Sequence, residues 1–183
     1  MERITTIELP EIPQPLIDQA NQLYLDFRKP GLNLIQTLER IYSYLDGFGK
    51  YVATFATCQK GCNYCCHYDV QITSFEAEYI YLKTGIPHNP DTSHTFNNEK
   101  PCPFLASDGQ CGIYQFRPIV CRTFHAVGDP KNCAPGKDQL QYGSPQSGFG
   151  NPIYKNLVHW VHFQTMQVGG HCKDIRDFFP YRR

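Results

Sequence analysis

Apolar residues recur at helical spacing twice in the first third of the chain. Leu16, Ile17, Ala20, Leu23, Tyr24 and Phe27 form one stripe, which Lys29-Pro30-Gly31 ends. Leu34, Ile35, Leu38, Ile41, Tyr42 and Leu45 form a second. It predicts a helix from about Leu32 to Leu45, with Gly47 and Gly49 expected to break it. Both stripes read as core. Periodicity leaves the following stretch, residues 51–57, open between strand and helix.

Further along, Thr73 and Glu76 have capping-box spacing in front of Phe75, Tyr79, Ile80 and Leu82, and Gly85 supplies a stop before Pro87. A third helix is expected over 74–84. Residues 86–103 are rich in turn formers and read as a surface loop. Pro118 suits the first turn of a short helix over 118–124. Residues 126–151 hold five Gly and three Pro, too many for regular structure. Asn151 and Pro152 then open a last helix through Val168, with Ile153, Leu157, Val161 and Val168 on its core side, ended by Gly169-Gly170. Ile175, Phe178 and Phe179 would dock the tail, which ends in two arginines. There is no internal repeat.

The expected fold class is mainly α: a single irregular helical domain over residues 1–183, organised around a cysteine-rich metal site. Residues 58–133 would form the metal-binding core, flanked by helices over 15–47 and 152–168. At 183 residues, 41% apolar and 14% aromatic, the chain can bury an ordinary core and needs no metal merely because it is small. The 17 basic residues balance 17 acidic ones at a pI near 7.0, which gives no nucleic-acid footprint and no polybasic membrane surface. A small or neutral partner fits that balance better, and the partner expected from the cysteines is a metal ion; a protein partner is not specified. The first 20 residues lack the basic start and apolar run of a signal peptide, so a cytoplasmic protein is expected. In such a reducing compartment nine cysteines read as metal-binding or catalytic, not as disulfides.

Four of them, Cys58, Cys62, Cys65 and Cys66, fall within nine positions and are followed by His67. Thiolates are soft, anionic ligands for zinc, iron or an iron–sulfur cluster such as [4Fe–4S], and short spacers let one turn present several sulfurs. Adjacent cysteines rarely chelate one ion without strain, so Cys65 and Cys66 are expected to serve different centres, or one is a buried thiol. Four more, Cys102, Cys111, Cys121 and Cys133, arrive on turns or short elements. Eight thiols could close two four-ligand sites, or one site with spare or bridging sulfurs.

The combination of Cys58-x3-Cys62-x2-Cys65-Cys66, CPFL at 102–105 and CGIYQFRPIVCRTF at 111–124 resembles the YkgJ-type cysteine-cluster family, CxxCxxCC, known as a zinc- or iron-chelating domain. The resemblance covers about residues 58–133. It implies that Cys58, Cys62, Cys65, Cys66, Cys102, Cys111, Cys121 and Cys133 are the family's eight cysteines, and that the function is metal chelation; a related domain occurs in a flagellin lysine methylase. The first spacer has three residues where the family's name has two, and Cys172 lies outside the pattern.

Cys58-x3-Cys62-x2-Cys65 also matches the radical S-adenosylmethionine signature, in which three thiolates hold a [4Fe–4S] cluster. Long helices without alternating strands, and the surplus thiols, count against it. Arg117 and Arg122 flank Cys121, where a guanidinium would favour thiolate or pin carboxylates and loop carbonyls. His67 and His125 are reserve ligands, and His171 beside Cys172 a weaker pair. His159 and His162 read as surface or satisfied core groups. Tyr64, Tyr114, Phe116 and Phe124 would supply an apolar shell. The functional classes that remain are a structural or regulatory metal-binding module, an iron–sulfur or non-haem iron enzyme, and metal storage or delivery.

Overall fold

The computed structural model describes residues 9–31, 33–58, 61–134, 137, 141–143, 148–149 and 151–181. Leu32, the first residue of the expected second helix, and the terminal Arg182 and Arg183 lie outside the described residues. The described part is mainly helical. Helices α1 (Gln14–Asp26), α2 (Leu34–Val52), α3 (Ser74–Thr84) and α5 (Pro152–Gln167) carry the bulk of it. Two shorter ones, α4 (Ile119–Thr123) and α6 (Ile175–Phe178), complete the helical set among the described residues.

Helix α2 does not stop at Gly47 and Gly49; it continues to Val52. Each helical glycine costs about 1 kcal/mol relative to alanine. Continuing the helix buries Phe48 and Val52 completely, and each such side chain contributes about 1.5–3 kcal/mol. Packing therefore overrides propensity, and residues 51–57 resolve as the end of α2 followed by a turn. The Asn33 side chain starts α2 by accepting from the Gln36 amide at 3.0 Å. Helix α3 has the expected capping box and ends at Gly85 in the left-handed region, at φ 71°. Two stripe residues prove exposed: Leu82, on the outer side of α3, and Val168, which caps α5 instead of packing beneath it.

Short strands, which the sequence pattern did not reveal, tie these helices together. Strands β1 (Gln71–Thr73) and β5 (Cys172–Asp174) pair antiparallel with Ile72 opposite Lys173. Strand β2 (His125–Ala126) pairs antiparallel with β3 (Gln141–Tyr142), which pairs parallel with β4 (Gly148–Phe149). The Gly- and Pro-rich stretch over 126–151 thus contains regular pairing after all. At Gly143, φ is +97° and a Cβ would lie 2.5 Å from the Tyr154 ring, so only glycine lets the chain leave β3 there.

One apolar cluster joins α1, α2 and α5 through Ala20, Leu23, Leu38, Ile41, Leu45, Phe48, Tyr154, Leu157 and Val161. A second surrounds β1, α3 and α6 through Ile72, Ile80, Ile113, Ile175, Phe178 and Phe179. Phe116 and Val120 pack against both. Between the clusters sits the Glu76 carboxylate, 1% exposed. It accepts from Tyr42 Oη at 3.0 Å, from the Ile119 amide at 2.7 Å, and from the amide and hydroxyl of Thr73. One carboxylate thus caps α3, anchors the start of α4 and fixes α2 against both.

Replacing it in Glu76→Ala strands the Ile119 amide and the Tyr42 hydroxyl in the interior, at a cost of about 3 kcal/mol. A urea titration should show the midpoint falling with the slope preserved. A loss below about 1 kcal/mol would mean that the donors find other acceptors. His125 gives a pH-dependent test. Burial, and after it the Arg117 charge, hold its imidazole down at about 4, and its ring nitrogen lies 3.2 Å from Tyr154 Oη. An unfolded histidine titrates near about 6.5, so the unfolded chain takes up this proton first. The contribution is intact above about pH 6.5 and fades as pH drops toward about 4. His125→Gln should flatten the fall of the urea midpoint across that window; an unaltered slope would contradict it.

Candidate metal centre

All but two of the cysteines lie outside α-helix and strand, the exceptions being Cys121 in α4 and Cys172 in β5, and Cys102 and Cys111 pack against the second apolar cluster. Thr57 donates its amide to the Ala126 carbonyl at 2.9 Å, and the Ala126 amide in turn donates to Cys58 Sγ at 3.0 Å. Cys62 follows Gly61, whose φ of 93° turns the chain sharply. Cys65 and Cys66 share the 3₁₀ turn Tyr64–His67, closed by the Cys66 amide on the Asn63 carbonyl.

Cys102 and Cys111 face each other across one small motif. The Cys102 amide donates to the Cys66 carbonyl at 2.7 Å, and Leu105 bridges Cys111. The backbone amides of Phe104 and Ile113 donate to the thiols of Cys102 and Cys111, each from two residues downstream. An N–H directed at sulfur favours thiolate, the form that binds metal. Cys121 comes from α4, and Cys133 ends the 3₁₀ turn Pro130–Cys133, where its carbonyl accepts from Tyr68 Oη at 2.8 Å.

These elements bring the cysteines of the cluster together around one cavity of about 1090 Å³. Cys62, Cys65, Cys66, Cys102, Cys111 and Cys121 line it. Cys58 and Cys133 stand behind, within electrostatic reach of Cys65. Cys65 lies within electrostatic reach of Cys58, Cys111, Cys121 and Cys133. Cys65 also hydrogen-bonds Cys66. All nine cysteines are free thiols. The thiols ring the cavity and do not converge: no three Cys, His, Asp or Glu side chains among the described residues are grouped to hold one ion.

Burial governs their protonation. It pushes Cys102 and Cys133 up to about 11 and raises Cys58 and Cys111. Cys65 is raised because its thiol donates a hydrogen bond to Cys66, and then by burial; Cys121 is raised by burial and then by neighbouring thiols. These thiols are protonated in the metal-free chain at neutral pH. A bound cation reverses that balance, because its charge outweighs the loss of solvent. Soft sulfur donors with amides aimed at three of them suit zinc or iron, and poorly suit calcium or magnesium.

The two arginines beside Cys121 divide the roles foreseen for them. Arg122 is 2% exposed and pins loops and a carboxylate: it donates to the carbonyls of Arg117 and Gln115 and to Asp46, with its guanidinium 4.3 Å over the Tyr42 ring. Arg117 lines the cavity, stacked 4.0 Å over Tyr114, and its charge lowers Cys58, Cys65, Cys111 and Cys121 against the burial that raises them.

Among the histidines, His67 lines the cavity, whereas His125 turns to Tyr154. His171 stacks on Phe178, and Cys172 pairs opposite Thr73 in β5; neither lines the cavity. His159 is exposed, as expected of a surface group, and His162 half-buried; three apart on α5, both also border the cavity. Sequence spacing offered no signal for them, because α5 holds no thiol. Of the expected apolar shell, Tyr114 and Phe124 line the cavity and Phe116 packs into the core. Arg176 and Asp174, which no motif marked, brace two of the thiol-bearing segments.

No curated protein and no solved structure matches the chain. Residues 57–146, which carry all eight cysteines of the constellation, match the model of the family described as "CxxCxxCC: Putative zinc- or iron-chelating domain". Over these 90 of its 183 residues the chain is similar to the CxxCxxCC family.

Proposed function

We propose that the chain is a metal-binding protein that coordinates zinc or iron through Cys58, Cys62, Cys65, Cys66, Cys102, Cys111, Cys121 and Cys133. The observation that carries this reading is that six of these thiols, from four separate stretches of chain, line one cavity, while amides donate to Cys58, Cys102 and Cys111. Eight thiols exceed the four that close a single tetrahedral zinc site. Closure of the ring around metal accompanies binding, since coordination and folding free energy are linked.

A second reading, an iron–sulfur centre in an enzyme, is favoured by the size of the cavity. At about 1090 Å³ it exceeds what an ion needs and leaves room for a small molecule beside the sulfurs. The radical S-adenosylmethionine form of this reading gains nothing from the fold, whose described residues are mainly helical with two- and three-residue strands.

Anaerobic purification followed by elemental analysis and an absorption spectrum separates the readings. Zinc protein is colourless; an iron–sulfur centre is brown, with absorption near about 400 nm. Cys62→Ala and Cys121→Ala, one from the Cys58–Cys66 stretch and one from α4, should each lower the bound metal and loosen the fold. Metal stoichiometry equal to wild type in both variants would overturn the ligand assignment.

A further inference from the structure

We propose that Arg176 is the positioning residue of the metal centre, holding the Cys66 and Cys102 segments in one register so that their thiols face the same space. This rests on the coordination reading above. Arg176 lies beyond the matched segment, is 6% exposed, and its guanidinium spends its donors on backbone that carries cysteines. Nη2 donates to the carbonyls of Cys66 at 3.3 Å and Tyr68 at 3.0 Å. Nε donates to the carbonyls of Lys100 at 2.8 Å and Pro101 at 3.3 Å, directly before Cys102. The Cys102 amide closes the gap by donating to the Cys66 carbonyl at 2.7 Å.

The guanidinium is itself oriented. Nη1 donates to both Asp174 oxygens, at 3.0 and 3.2 Å, and Asp174 is fully buried. Asp174 also accepts from the Val70 amide at 2.7 Å, four residues past Cys66. Strand β5 pairs with β1 immediately before α6 begins, so the arginine is carried on the same frame that receives the chain leaving Cys66. Two stretches more than thirty residues apart in sequence thus share one planar fork of donors. Lysine cannot substitute: an ammonium is a point charge with three donors and lacks the fixed fork that reaches four carbonyls and a carboxylate at once. The neighbouring Lys173 is committed elsewhere, to the carbonyls of Asn89 and Asp91.

The test measures zinc affinity by chelator competition on the full chain, with helicity followed by circular dichroism. Arg176→Lys is expected to keep wild-type helicity while zinc binding weakens by about ten- to a hundredfold, the range for residues that orient ligands. Asp174→Asn, which keeps shape and removes the orienting charge, should weaken it in the same direction but less. Wild-type affinity in a folded Arg176→Lys or Asp174→Asn protein would overturn the proposal. Wild-type chain that takes up neither zinc nor iron would instead overturn the coordination reading, and this inference with it.

Discussion

The thiol-bearing chain has little secondary structure, so its backbone polar groups must be satisfied by something other than helix or sheet ladders. Buried charged side chains do this. Glu76, Arg122, Lys173, Asp174 and Arg176 are all 6% exposed or less, and between them they bind backbone at Thr73, Val70, Ile119, Gln115, Arg117, Asn89, Asp91, Cys66, Tyr68, Lys100 and Pro101. Burying a charge costs several kcal/mol, roughly, unless its hydrogen-bonding capacity is filled. Here the partners are largely main-chain groups on part-buried stretches of irregular chain. The same bonds that satisfy the charges therefore fix the path of the irregular chain.

This arrangement explains how cysteines separated by many residues come to one cavity. Glu76 sets the start of α4 and hence Cys121. Arg122, one residue on, holds the turn between Cys111 and Cys121 by the Gln115 and Arg117 carbonyls. That leaves Arg117 on the cavity wall, where its charge offsets part of the burial penalty on four thiols. Arg176 and Asp174 set the Cys66 and Cys102 segments. The frame is assembled before any ion is considered, and the protonated thiols ring a space that a cation's charge would close.

Much of the frame was legible in residue order. The stripes of α1 and α2, the capping box and glycine stop of α3, the Asn151-Pro152 start of α5 and the docking of Ile175, Phe178 and Phe179 all follow from local pattern, and the structure bears them out. Local pattern failed where packing outweighed it. Gly47 and Gly49 stay helical because Phe48 and Val52 are buried, while Leu82 and Val168, apolar by type, lie on the solvent side. Two- and three-residue strands are too short to leave an alternation that can be read from one sequence.

Residue order by itself determined which atoms could bind a metal, because thiol density and short spacers are covalent facts, and it determined the helices whose periodicity is local. Only the tertiary structure decided which of those groups share a cavity. It put His159 and His162 on the wall and turned His125 away to Tyr154. It divided Arg117 from Arg122, and it enlisted Arg176 from outside the motif. Those outcomes depend on contacts between residues far apart along the chain, which only the packing of α2, α4, α5 and the β1–β5 pair brings together.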